Sequence, residues 1–150
     1  MNFVSLDDLP KKIPIFPLTG AVLFPKTQLP LNIFEPRYVQ MLNAALATPH
    51  KLIGMIQPIA GSDNSLKKVG CVGRVTSYNE TDDHRYLITL NGIIRFEIEN
   101  ELDTTTRYRQ VEVNYENFIT DLKSEDVTNV DRDSLLKLIK KYLKNKSLLA

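Results

Sequence analysis

The sequence predicts an α+β fold, mostly antiparallel strands with one internal helix and a second near the C-terminus, on three observations. At Glu35-Pro36 the apolar spacing changes from every second residue to every third or fourth. Two long alternating stretches, VGCVGRVTSYNE and HRYLITLNGIIRFEIENEL, flank the polar tip TDDH as the arms of an antiparallel hairpin would. Near the end, Leu135, Leu138, Ile139, Tyr142 and Leu143 recur at helical spacing behind a face carrying Lys137, Lys140, Lys141 and Lys144.

Taken in order, IPIFPLTGAVLF at residues 13–24 is a set of short apolar pieces broken by Pro14, Pro17 and Gly20. Proline supplies no ladder donor, so this segment is expected at a sheet edge rather than in a central strand. Leu29, Leu31 and Ile33 then alternate with Pro30, Asn32 and Phe34, which predicts a second extended segment with two usable faces. Pro36 restrains Glu35 to extended geometry and itself suits the first helical position. Tyr38, Met41, Leu42, Ala45 and Leu46 trace one apolar stripe, so a helix is expected to about Ala47, with Thr48-Pro49 ending it. Burial of Tyr38 and Leu42 is expected to contribute about 2 kcal/mol each.

KLIGMIQP at 51–58 reads as a short buried strand and AGSDNSLKK at 60–68 as a polar loop. Inside the second hairpin arm Asn91-Gly92 marks a turn or a strong bulge. Beyond it, Ile94, Phe96 and Ile98 alternate with Arg95, Glu97 and Glu99, the pattern of a half-buried strand. YRQVEVNYENF at 108–118 predicts a further strand, and residues 120–134 are polar and linker-like.

Composition narrows the function. A chain of 150 residues, 43% hydrophobic, is the size of one domain with a real core. Its 19 basic and 18 acidic residues leave a net charge of +1, so no general field draws in nucleic acid or anionic lipid. The single cysteine, Cys71, excludes an internal disulfide and reads as a small buried apolar residue in a reducing, cytoplasmic setting. No apolar run approaches the roughly 18 residues that cross a bilayer.

Catalytic chemistry finds no support. His50 and His84 sit among polar loop residues without a cluster that could bind metal or serve a nucleophile. The glycines form no phosphate cradle, and Ser65-Leu66-Lys67-Lys68 holds a Ser-x-x-Lys spacing without its companion motifs. Acidic pairs Asp82-Asp83 and Glu97/Glu99 read as a solvated tip and the wet side of a strand. The Lys-rich C-terminal face lacks the interleaved aromatics of a nucleic-acid platform.

Read together, IPIFPLTGAVLFPKTQLPLNIFEPRYVQML, LIGMIQP, VGCVGRV and LNGIIRFEI make the chain similar to the substrate-binding N-terminal domain of the Lon ATP-dependent protease family, in the style of its short stand-alone bacterial versions. Cereblon holds a more distant relative. The resemblance covers about residues 13–118 and implies a PUA-like pseudo-barrel of twisted sheets with one helix between strands 2 and 3. In the full-length proteases the P-loop ATPase and Ser-Lys peptidase modules lie downstream and a helical bundle follows the sheet domain. This sequence carries neither module's motifs, so it is expected to be no enzyme, with no cofactor and no metal. Residues 1–120 are expected to form the sheet domain, and 121–150 a linker and the start of a helical region, as in a truncated piece or a short variant.

The leading expectation is therefore a non-catalytic module that binds unfolded or tagged polypeptide through apolar grooves and sheet edges. Its partners would be such proteins and a protease or chaperone, not membranes or nucleic acid. An RNA- or small-ligand-binding PUA-like module is the alternative, opposed by the near-neutral charge. Candidate binding residues are Phe34, Glu35, Arg37 and Tyr38, with the 60–68 loop second. Arg37 is unfavourable near the positive end of a helix dipole and so requires a carboxylate, either Glu35 or an acid across the sheet, or a bound partner. Phe34 points away from Leu31 and Ile33, into a second core or an exposed patch.

Overall fold

A computed structural model describes residues 5–62 and 64–122. The linker and C-terminal helix expected beyond residue 122 lie outside the described residues. Within them the strands are β1 (Lys12–Pro17), β2 (Gln28–Ile33), β3 (Leu52–Ile56), β4 (Val69–Glu80), β5 (Tyr86–Glu101) and β6 (Gln110–Asn114). The helix α1 (Pro36–Leu46) stands between the second and third strands, as expected. Short 3-10 segments at Leu6–Asp8 and Glu116–Leu122 complete the described chain, the second replacing the tail of the strand expected to reach residue 118.

The strands form one six-stranded sheet in the order β2-β5-β4-β3-β1-β6, and an added pairing of β5 with β6 closes it into a ring. The long β5 makes that closure possible by changing partners along its length. Its first half, through Asn91, pairs with β2, while Glu97 to Glu101 pairs with β6. Between the two, the β4 register slips from Gly73↔Gly92 to Val72↔Ile94, a bulge at the Asn91-Gly92 site the sequence marked. A bulge bends its strand, which aims the second half of β5 toward β6. Gly92 also lets the chain cross close by. Lys26 N–H donates to Gly92 O at 2.8 Å and Gly92 N–H to Thr27 O at 2.8 Å. A Cβ at Gly92 would lie 1.9 Å from the Phe24 carbonyl oxygen, which no side chain tolerates.

β1 corrects one expectation: it is an interior strand, antiparallel to β6 and parallel to β3. Its prolines survive there because the two neighbours are staggered along it. The β6 register covers Lys12 to Pro14 and the β3 register Ile15 to Pro17. Ile15 N–H donates to Arg109 O, so amides at even positions face β3, whose pairing begins only beyond Pro14. Pro17 would aim its amide at β6, past the end of that register. Each proline thus sits where no ladder donor is required.

Around the closed part of the ring both faces of the sheet are covered. Inside the ring, Ile13, Ile15, Leu52, Val72, Ile94, Phe96 and Val111 form one apolar cluster. On the other face, Tyr38, Met41, Leu42 and Ala45 of α1 pack with Phe16, Ile53, Met55, Cys71, Ile88 and Leu90. β3 contributes to both and is buried throughout, which explains its unbroken apolar run.

Candidate functional site

The outer end of the β4–β5 hairpin stands apart from these cores. β3 pairs with β4 only from Cys71 to Arg74, and Val75 N–H still reaches Lys51 O at 2.9 Å. Beyond that point, Thr76 to Glu80 have β5 on one side and, among the described residues, no strand on the other, and all five are exposed. On the far side of β5, β2 forms the other edge of this three-stranded end. Pro30 interrupts the β2 edge by removing a donor, whereas the β4 edge contains no proline and keeps its hydrogen-bonding groups available.

Across the outward face, Asn32 lies opposite Leu87, which lies opposite Asn79, and Pro30, Thr89 and Ser77 make the next row. A shallow depression of about 470 Å³ runs over these rows. Leu87 is 48% exposed, and Phe34, one residue past β2, is 56% exposed. Phe34 is thus part of a surface patch rather than of a second core. Its ring lies under the Arg85 guanidinium, 5.2 Å from carbon to centroid, which restrains it without covering it.

Glu35 adopts the extended conformation that Pro36 imposes, and its carbonyl accepts from the Tyr38 and Val39 amides at 2.9 Å each, starting α1. Its side chain does not cap the helix. It accepts instead from Arg37 Nε at 3.0 Å, so the carboxylate that Arg37 requires is its neighbour. Both side chains remain about half exposed. Arg37 also lies over the Tyr38 ring at 4.6 Å.

Tyr38 is placed differently from the other three candidates. It is 8% exposed and stacks on Phe16, with ring centroids 4.2 Å apart. Burial raises its phenol above the ordinary tyrosine value, a rise tempered by the positive charges of Arg37 and Arg109 and reinforced by Glu35. Tyr38 is a wall that fixes the start of α1, while Phe34, Glu35 and Arg37 face solvent. The 60–68 loop is tied into a small arm by Ile59 N–H to Ser65 O at 2.8 Å and Lys67 N–H to Gln57 O at 2.9 Å.

Sequence reasoning missed Leu87, Arg85 and the unpaired β4 edge. Alternation implied an outward Leu87, but it could not tell that β3 is too short to cover the last residues of β4. Among the described residues no group of three or more His, Cys, Asp or Glu could hold a metal ion, and no helix is long and apolar enough to cross a membrane. Cys71 is fully enclosed, and burial drives its thiol far above the ordinary value, so it is no nucleophile.

Residues 12–149 match the model of the ATP-dependent protease La (LON) substrate-binding domain, and the chain belongs to that family. Among curated proteins it is similar to Lon protease 2 of Sorangium cellulosum, 31% identical over 59% of this chain and 12% of the relative. The chain therefore corresponds to a small part of such a protein's length. Its fold is shared with a Lon N-terminal domain protein from Xanthomonas campestris, with a TM-score of 0.59 at 23% identity, over 69% of this chain and 59% of that one. The N-terminal domain of a Mycobacterium avium complex Lon protease is also similar, with a TM-score of 0.61 at 14% identity over 93% and 71%.

Proposed function

We propose that this chain is a non-catalytic module that binds unfolded or tagged polypeptide, serving protein quality control in the cytoplasm by presenting such segments to a protease or chaperone. The observation that carries the reading is the outer end of the hairpin, where the described residues leave one strand edge and several apolar side chains open. An extended segment would add beside Thr76–Glu80 through main-chain hydrogen bonds. Leu87 and Phe34 would supply apolar anchorage across the face, with Glu35 and Arg37 at the rim selecting for charge. Family membership in a substrate-binding domain supports the same assignment.

Strand addition draws on backbone groups that every polypeptide has, which suits a receptor for many unfolded sequences. It also makes binding weak and dependent on segment length, because ordering a flexible chain opposes association. The test is fluorescence anisotropy with a labelled, permanently unfolded protein and with peptides of graded length. Binding should rise with length, and the Phe34→Ser/Leu87→Ser double variant should weaken it about tenfold with the Tm unchanged. Absence of binding at high micromolar concentration would overturn the proposal.

A further inference from the structure

A second cleft lies beside α1's first turn, and its chemistry differs from the apolar patch. It has a volume of about 180 Å³ and brings together Arg37 and Tyr38 from α1, Asn64 from the loop arm, and Arg107, Tyr108 and Arg109 from the segment leading into β6. Three arginines thus line one cleft, an arrangement that chain order alone gives no hint of: the segment at 107–109 is carried to this side of the fold by the β1–β6 pairing.

The three arginines are not equivalent. Arg109 is fixed, donating Nε to Glu101 Oε2 at 3.0 Å and Nη2 to the Asn64 carbonyl at 3.0 Å. Its pairing with Glu101 raises its own pKa and holds the glutamate below the ordinary carboxylate value. Arg37 spends one donor on Glu35 and rests against Tyr38. Arg107 is exposed and makes no hydrogen bond or ion pair among the described residues. The three positive charges are thus offset by the two carboxylates Glu35 and Glu101, leaving the equivalent of one unmatched cation beside a floor of two tyrosine rings.

We propose that this cleft binds a single carboxylate of a polypeptide, either an acidic side chain or the chain terminus, with Arg107 as its principal ion-pair partner and the remaining Arg37 donors as a second. Arginine suits the role because its planar fork of donors matches a carboxylate in two-pronged geometry. One unmatched charge fits a monoanion. A phosphate dianion would meet Glu35 and Glu101 at the rim with charge left over. The identity of the ligand rests on the polypeptide-binding reading, whereas the existence of an anion site does not.

Two kinds of probe separate these. The first is a pair of extended peptides identical except for one acidic residue exchanged for its amide, each made with a free and an amidated C-terminus. The second is propionate and inorganic phosphate, followed through the arginine Nε–H signals in NMR spectra of the whole chain. The expected result is that carboxylate-bearing peptides bind roughly five- to tenfold more tightly, that added salt removes the difference, and that Arg107→Gln abolishes it. Comparison of the four peptides assigns the carboxylate to side chain or terminus. If the amide peptides bind as well as the acidic ones, or if Arg107→Gln keeps the preference, the carboxylate site is wrong while polypeptide binding stands. If no peptide binds but propionate moves the Arg107 signal, the polypeptide reading fails and the anion site stands. Phosphate binding more tightly than propionate overturns the assignment to a monoanion.

Discussion

The two ends of the β4–β5 hairpin use similar residues to opposite effect. At the inner end Val72, Ile94 and Phe96 are fully buried, and Arg95 is gripped by Asp121, which accepts from its backbone amide, Nε and Nη2 at 2.9–3.0 Å. Arg95 also lies over Phe118 at 4.8 Å. At the outer end Arg85 lies over Phe34 at 5.2 Å and pairs with Asp83, but the ring, the arginine and Leu87 all stay in solvent. An arginine, a phenylalanine and an aspartate thus recur at both ends. What differs is the number of neighbouring strands, because the inner end is enclosed by β3 and β6 and the outer end extends past β3. Stability is therefore concentrated where the ring closes, and the outer end is left free for contact with other molecules.

The largest effect that would sharpen this contrast is truncation of the two aromatics. Phe96→Ala is expected to lower stability by about 3–5 kcal/mol through lost burial and a cavity inside the ring, read by urea denaturation. Phe34→Ala should change it by no more than about 0.5 kcal/mol, as for an exposed side chain. Equal losses at the two sites would erase the distinction.

The aspartates give a smaller difference. Asp121→Asn removes a charged acceptor whose side chain is only 9% exposed, and should cost about 1–3 kcal/mol. Asp83→Asn, at the solvated tip, should leave the Tm unaltered. A comparable drop in both would place structural weight on the outer end that the fold does not assign to it.

The smallest effect is a pH dependence. Glu101 is held below its ordinary value chiefly by the hydrogen bond from Arg109, so its native pKa is lower than its unfolded one. The stabilisation it gives is fully present above the ordinary glutamate value near 4.5 and is lost as pH falls through the depressed native value. Glu101→Gln should flatten that acid limb of the stability profile, with its small loss of stability seen at neutral pH and vanishing in acid, where the wild-type carboxylate is itself protonated. An unaltered limb would show that the pair is too solvent-screened to matter.

Much of this fold was legible from alternation and turn chemistry. The period change at Pro36 gave α1, the polar tip gave the hairpin, and Asn91-Gly92 gave the bulge on which β5 changes partners. The position of β1 was misread because the proline rule was applied to the whole strand. It acts on single donors, and the stagger of β3 and β6 exempts both prolines. Of the candidate site, Glu35 and Arg37 were legible as a pair because they are adjacent on the chain. Arg107 and Arg109 were not, since no local pattern reports that β6 returns beside β1. Leu87 was readable as an outward residue, but its place in an open end depended on where β3 stops.

The central claim is that the outer end of the hairpin receives extended polypeptide. Amide hydrogen exchange of the whole chain, with and without a saturating unfolded peptide, tests it most directly. The account predicts new protection on alternate amides of Thr76–Glu80, the spacing at which one edge of a strand offers its donors, with the already protected amides of Cys71–Arg74 unaffected. Protection elsewhere on the molecule with residues 76–80 still exchanging freely would contradict it.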